Sequence, residues 1–134
     1  MKKMINRSLF LLAGLAFVFA SCGKYEGGPG LSLLTKKGRL AGTWDANSIE
    51  YSNGNVITID PNTVNLTFEK DGTFIGSYVS IPFPGTWEFN EDKSSLFTIS
   101  EAGDTTEYDP IYRLTSKELW FKDSDGDITK YSKK

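Results

Sequence analysis

Apolar and polar residues alternate through most of the chain after residue 42. The clearest case is residues 63–69, where Val64, Leu66 and Phe68 alternate with polar side chains. A period of two places successive side chains on opposite faces of a β-strand, so one face is buried and the other meets water. Residues 70–72 then offer a tight turn, because Gly72 takes positive φ without steric cost. This stretch therefore predicts the first half of a β-hairpin.

Similar patterns separated by short Gly, Asn and Asp turns predict eight or nine strands. These strands cover residues 42–51, 56–59, 63–70, 73–80, 85–90, 95–100, 105–115, 117–123 and 127–132. Consecutive short strands of this kind predict an all-β fold, an antiparallel meander of about eight strands. Closing the meander into a barrel would remove its exposed edges, and a β-sandwich is the alternative architecture.

The stretch before the first strand gives a weaker helical pattern. Residues 31–40 contain Leu31, Leu33 and Leu34, with Ser32 available as an N-cap and Gly38 available to end a helix. They predict either a short helix or an irregular lead-in. Residues 23–30 hold four glycines and a proline, which predicts a flexible tether.

The first 22 residues follow the pattern of an export signal. An apolar run of 11 residues, 9–19, follows Lys2, Lys3 and Arg7 and ends in Ala20-Ser21-Cys22. The run is shorter than the roughly 20 residues that a spanning helix needs. One interpretation of this segment is an ordinary cleaved signal that leaves one stray cysteine.

The residues around Cys22 resemble a bacterial lipobox, although Phe19 stands where leucine is usual. In that motif the cysteine is lipidated and becomes the first residue of the mature protein. The resemblance implies a signal peptide over residues 1–21, a tether over 22–30 and one domain over 31–134. It also implies palmitate at Cys22 and a lipid-anchored protein of the cell envelope, on the outer membrane.

Charge and residue content narrow the function classes. Cleavage before Cys22 would leave 113 residues, enough for one compact core. All 17 acidic residues but only 12 of the 15 basic ones follow that point, which gives a net charge of −5 and argues against nucleic acid as a partner. Histidine is absent and the single cysteine is used by the lipid, so the usual general base and zinc ligands are missing. The sequence predicts a protein that is not an enzyme and has no cofactor.

One acidic segment invites a metal hypothesis. Asp123, Asp125 and Asp127 have the spacing of a calcium loop, but Ile128 stands at the glycine position and Lys134 at the position of the bidentate glutamate. A hairpin turn explains the same residues. No metal site is predicted there.

Several short motifs together resemble the lipocalin-like lipoproteins of Bacteroidota. They are Gly42-Thr43-Trp44, Asp71-Gly72-Thr73, Gly85-Thr86-Trp87 and Leu119-Trp120. The resemblance implies a barrel with a cavity for a small apolar ligand, in which Gly42 and Trp44 mark the closed end. It also implies an arginine packed across the Trp44 ring, with Arg113 as the candidate and Arg39 as its rival.

Aromatic residues supply the candidate ligand site. Phe83, Tyr78, Trp87 and Tyr112 are the predicted ligand-binding residues, and packing of the core is the alternative role for such side chains. Residues 81–84 are predicted to be a rim loop, because two prolines disfavour a central strand. The loop lies at the open mouth only if residues 56–59 belong to a long connection. Two functions remain open, which are binding of a small apolar ligand and docking on an envelope protein.

Overall fold

The computed structural model describes residues 25–28 and 34–134. Cys22 and the predicted signal peptide lie outside the described residues. Within them there is one short helix, α1 (Lys36–Leu40), and a single sheet of ten strands. The strands are β1 (Gly42–Glu50), β2 (Val56–Thr58), β3 (Val64–Phe68), β4 (Thr73–Tyr78), β5 (Ile81–Phe89), β6 (Leu96–Ser100), β7 (Thr105–Glu107), β8 (Ile111–Leu114), β9 (Glu118–Lys122) and β10 (Ile128–Lys133).

Every strand pair in the sheet is antiparallel, and the order is β7-β6-β5-β4-β3-β1-β10-β9-β8. β2 pairs with β1 alone and stands outside this path. The nine strands of the path curl into a half-barrel. The predicted all-β meander is therefore confirmed, and its nearest-neighbour order follows from the short turns that join consecutive strands.

β2 and β3 lie along the same edge of β1, one after the other. Thr58 pairs with Ser48 in β1, and Asn65 pairs with Asp45 further along the same strand. The two segments therefore run in one direction and are interrupted by a loop over residues 59–63. The predicted strand 56–59 is therefore formed over 56–58 and acts with β3 as one interrupted strand, so each later turn switches ends of the barrel.

A single stretch of chain links the two outer strands of the sheet. The Tyr108 amide donates to the Leu96 carbonyl at 3.0 Å, and the Ile111 amide donates to the Ser94 carbonyl at 2.8 Å. On its other side the Pro110 carbonyl accepts from the Lys122 amide at 3.0 Å. The predicted strand 105–115 is thus divided into β7 on one edge and β8 on the other. Residues 108–111 therefore connect β7 and β8, the two outer strands of the sheet.

One end of the barrel is sealed by α1 and the start of β1, and is called the closed end below. Thr35 caps the helix, since its Oγ1 accepts from the Gly38 amide at 2.9 Å. Leu40 and Trp44 are fully buried, and the Trp44 indole N–H donates to the Leu40 carbonyl at 2.8 Å. The predicted short helix is confirmed over 36–40, with Gly38 inside it rather than at its end.

Two predicted irregular segments are ordered parts of the barrel. Residues 81–84 form the start of β5 instead of a rim loop, with Pro82 opposite Ser77 and Pro84 opposite Ile75. Along this stretch β5 has a neighbour on one side only, so residues without an N–H are tolerated.

The predicted tether is also partly ordered. Tyr25 is buried, and the Gly27 amide donates to the Tyr112 carbonyl at 2.6 Å. Residues 25–28 therefore pack against β8 and are not a flexible linker.

Candidate functional site

The end of the barrel opposite α1 is open. β4 and β5 meet there in a two-residue turn, Val79-Ser80, with both residues at positive φ as in a type I′ turn. Tyr78, Ile81 and Phe83 share the inward face with the buried Phe74, because they alternate with it in register. They are nevertheless 59%, 67% and 43% exposed. The inner face of the sheet thus continues beyond the packed core into an open region.

A groove of about 360 Å³ lies at this open end, between β4–β5 and β6–β7. Its lining is Phe74, Phe83, Pro84, Thr98, Ile99, Ser100, Asp104, Thr106 and Tyr108. The volume falls in the range of small-molecule sites, which are typically roughly 300–1,000 Å³. We call this space the groove.

The apolar side of the groove is made by two phenyl rings. The ring centres of Phe74 and Phe83 are 6.2 Å apart, and Phe74 in turn packs on the buried Phe68 at 5.3 Å. Gly76 makes the position of Phe83 possible. A Cβ at residue 76 would lie 1.9 Å from Phe83 Cε2, so no side chain fits there unless the ring moves.

The other side of the groove carries hydroxyl groups. Thr98, Ser100, Thr106 and Tyr108 supply them, and the Asp104 carboxylate stands at the rim. Burial raises the pKa of Tyr108, and a hydrogen bond with Thr98 partly offsets that rise. The Tyr108 phenol is therefore neutral near pH 7 and can donate a hydrogen bond. An apolar floor with a few hydroxyl groups suits a largely apolar molecule that carries a polar group.

Of the four predicted ligand-binding residues, Phe83 alone lines the groove. Trp87 is buried in the core, where its ring meets Phe68 and Phe89 edge-on at 5.5 and 5.3 Å. Its indole N–H donates to the Glu69 carbonyl at 2.8 Å. Tyr78 lies at the exposed tip beside the turn of β4 and β5. Trp87 therefore has the core-packing role that was the alternative in the sequence analysis.

Tyr112 faces away from the barrel interior, contrary to prediction. A β-bulge between Ile111 and Arg113 places an extra residue in β8, so Ile111 and Leu114 both point into the core. Tyr112 stacks instead on Trp120 at 6.4 Å between ring centres. The three-residue spacing of Ile111 and Leu114 breaks the period of two, and is the one sequence signal of this bulge.

The cation over the Trp44 ring is Lys133, and Arg113 does not take that place. Lys133 Nζ lies 4.9 Å from the centre of the Trp44 ring. The Arg113 guanidinium lies over Trp120 at 5.3 Å and forms an ion pair with Glu118 at 3.0 Å. Arg39 is buried and donates from Nη1 to the Leu114 carbonyl at 2.9 Å. The predicted role of Arg113 at Trp44 is wrong, while the burial of Trp44 at the closed end agrees with the sequence analysis.

The acidic segment 123–127 is a hairpin turn. The Asp123 Oδ1 accepts from the backbone amides of Asp125 and Asp127, at 2.9 and 3.0 Å. The Asp127 Oδ1 accepts from the Ser52 amide at 2.9 Å. One carboxylate oxygen from each of the three aspartates falls within 4.8 Å of the others. The hydrogen bonds that the Asp123 and Asp127 carboxylates accept from the backbone account for the arrangement as a turn.

The fold is similar to those of two solved structures from Bacteroides. The structure is similar to that of a lipocalin-like protein from Bacteroides uniformis, with a TM-score of 0.57 at 18% identity, over 72% of this chain and 100% of the other. It is also similar to an uncharacterized protein from Bacteroides eggerthii, with a TM-score of 0.56 at 13% identity, over 71% of this chain and 99% of the other. No protein-family model and no curated protein matches the sequence.

The fold is therefore a lipocalin-like antiparallel half-barrel with one short helix. The groove opens at the end of this half-barrel opposite the helix. Within residues 25–28 and 34–134 the helix α1 does not have the length and apolar content to cross a membrane.

Proposed function

We propose that the protein is a lipid-anchored protein of the cell envelope that binds a small, largely apolar molecule in the groove. Binding involves no chemical conversion of the ligand. The observation that carries the proposal is the groove itself, a space of about 360 Å³ at the open end of a lipocalin-like barrel. The anchor is the lipidated Cys22 on the outer membrane, as the lipobox resemblance implies.

The shape and chemistry of the groove indicate the class of ligand. The rings of Phe74 and Phe83 offer an apolar surface, and the hydroxyls of Thr98 and Tyr108 stand across from it. Within the described residues no cation lines the groove, and Asp104 adds negative charge at its rim. A neutral or cationic molecule with a hydrocarbon or aromatic body fits this setting better than a carboxylate or a phosphate.

A fluorescent apolar probe, N-phenyl-1-naphthylamine, tests ligand binding. Phe83→Ala removes one wall of the groove and should weaken probe binding at least fivefold, because the apolar contact area of the probe falls. The melting temperature should change little, because the ring is partly exposed. Phe97→Ala is the matched control, since Phe97 lies on the outer face of β6 beside the groove. Equal affinities of the two variants would place the site elsewhere.

Metabolic labelling with radioactive palmitate tests the anchor separately. The full-length chain should be labelled and a Cys22→Ser variant should not be. Equal labelling of the two forms, or none in either, would contradict lipidation at Cys22.

The second candidate function is docking on an envelope protein. The observation that favours it is the apolar tip of the β4–β5 hairpin, where Tyr78, Val79 and Ile81 are each more than half exposed. Large exposed apolar groups grouped in one place mark interaction surfaces. Chemical cross-linking in the native host from a photoreactive residue at position 79 would capture a specific protein if this function holds. It would capture none if the groove alone is used.

A further inference from the structure

We propose that the barrel stands on its membrane by the closed end, so that the groove faces away from the bilayer. The inference rests on the proposed lipidation of Cys22 and adds the orientation of the site. The surface that meets the lipid headgroups is the one around Tyr25 and the turn between β5 and β6, residues 90–95.

Residues 25–28 are fixed to the barrel by packing and hydrogen bonds. Tyr25 is only 5% exposed and belongs to the hydrophobic core. Its hydroxyl donates to the Lys93 carbonyl at 2.9 Å. Further on, the Gly28 carbonyl accepts from the Leu114 amide at 3.2 Å, and the Gly27 carbonyl accepts from Arg113 Nη1 at 2.6 Å. The chain is therefore part of the folded domain from Tyr25 onward.

The chain between the lipid at Cys22 and the folded Tyr25 is short. Two residues, Gly23 and Lys24, separate Cys22 from Tyr25, which makes three Cα–Cα steps. A fully extended chain spans at most about 3.6 Å per residue, so the two Cα atoms lie no more than roughly 11 Å apart. A lipid carried by Cys22 therefore holds the surface around Tyr25 next to the headgroups.

The groove lies at the opposite end of β6 from Tyr25. β6 (Leu96–Ser100) runs from the 90–95 turn, beside Tyr25, to the 101–104 turn, beside the groove. At about 3.3 Å per residue, the six steps from Ser95 to Glu101 span roughly 20 Å. This exceeds the reach of the three residues before Tyr25. The groove and the apolar hairpin tip thus stand off from the membrane.

The charges near Tyr25 are compatible with a lipid surface. Lys36 Nζ lies 4.6 Å from the centre of the Tyr25 ring, and Lys93 belongs to the adjoining turn. These cations can meet headgroup phosphates, while Glu91 and Asp92 in the same turn limit the attraction. The lipid anchor, rather than charge, therefore supplies most of the binding. Ligand must reach the groove from the aqueous side or from a partner.

Two matched cysteine variants test the orientation. Glu91→Cys and Glu101→Cys each replace an exposed glutamate in a turn, at opposite ends of β6. Since the chain has one cysteine and the lipid occupies it, the new thiol is the only one free to take an NBD fluorophore. The labelled full-length proteins are reconstituted in vesicles of phosphatidylethanolamine and phosphatidylglycerol that contain a lipid with a spin label on its headgroup. Circular dichroism confirms that both variants keep the fold.

We expect at least twofold stronger quenching at position 91 than at position 101. A twelve-residue Gly-Ser insertion between Lys24 and Tyr25 should remove most of that difference. Equal or reversed quenching without the insertion would overturn the orientation and leave the anchor standing. Flotation with the vesicles is measured alongside, and equal flotation of the parent chain and its Cys22→Ser form would overturn the anchor and the orientation together.

Discussion

The ammonium group of Lys133 lies over the face of the Trp44 ring, 4.9 Å from its centre, at the closed end of the barrel. The two residues are direct partners in the register of β1 and β10. Lys133 Nζ also donates to the carbonyls of Arg39 and Ala41, at 3.1 and 2.9 Å. One side chain near the end of the sequence thus ties the last strand to the segment from α1 to β1.

Replacing Lys133 with Met should destabilise the protein more than replacing Arg113 with Met. Loss of Lys133 leaves two carbonyls without their donor and removes the cation over Trp44, at a cost of about 1–3 kcal/mol. Arg113 is partly exposed where it pairs with Glu118 and donates to the Gly27 carbonyl, and water can replace it there, so its loss should cost about 1 kcal/mol. Urea unfolding of both variants measures the difference, and a larger loss for Arg113→Met would contradict the assignment.

Trp44→Ala should cost about 3–5 kcal/mol in unfolding free energy, because the side chain is fully buried and its indole N–H is bonded to Leu40. Trp120→Ala is the comparison, since Trp120 stands on the outer face of β9 with Lys130 Nζ 4.2 Å from its ring centre. Its loss should cost about 1 kcal/mol. Similar costs for the two tryptophans would show that Trp44 does not seal the closed end.

The strands could be predicted from the sequence because burial on one face produces alternation. Val64, Leu66 and Phe68 show this pattern, and they pair in the predicted hairpin with β4. What alternation does not reveal is an interruption of the ladder. The bulge in β8 leaves Tyr112 and Arg113 both on the outer face, whereas the sequence analysis placed Tyr112 in the ligand site and Arg113 over Trp44.

The groove was only partly predictable for a related reason. Phe83 was found by its hydrophobicity and its place among prolines, but those prolines indicated a loop. Thr98, Ser100 and Thr106 are ordinary strand residues, and they become a site when curvature of the sheet turns their faces toward Phe83. Lys133 lies just beyond the last predicted strand, 127–132, and only the pairing of β1 with β10 places it over Trp44.

Gly76→Ala should weaken binding of N-phenyl-1-naphthylamine severalfold. The new methyl group would overlap the Phe83 ring, which must swing out of its place on the groove wall. We expect a stability cost of about 1–3 kcal/mol, typical of overpacking. Ser77→Ala, on the outer face of β4, should leave probe affinity unchanged. Unchanged affinity in Gly76→Ala would mean that Phe83 does not shape the binding site.

Stability should fall in alkali because of buried tyrosines. Burial, with a smaller contribution from the nearby Tyr108, raises the pKa of Tyr131 to about 12. The folded-state pKa lies above the unfolded value of 10.0, so the stabilisation is complete below pH 10 and is lost as the pH rises toward 12. The loss assigned to this one group is about 2 kcal/mol. Tyr131→Phe should therefore lose less stability than the parent between pH 9 and 11.5, and equal losses in chemical denaturation would contradict it.

Native mass spectrometry of the full-length protein, purified from its own host in mild detergent, tests the central claim most directly. If the groove binds a small apolar molecule, the spectrum should show the lipidated chain with an additional noncovalent mass of a few hundred daltons. That mass should leave on collisional activation and be depleted in Phe83→Ala but retained in Phe97→Ala. A chain that carries no such mass and is recovered instead with a stoichiometric protein partner would contradict the account.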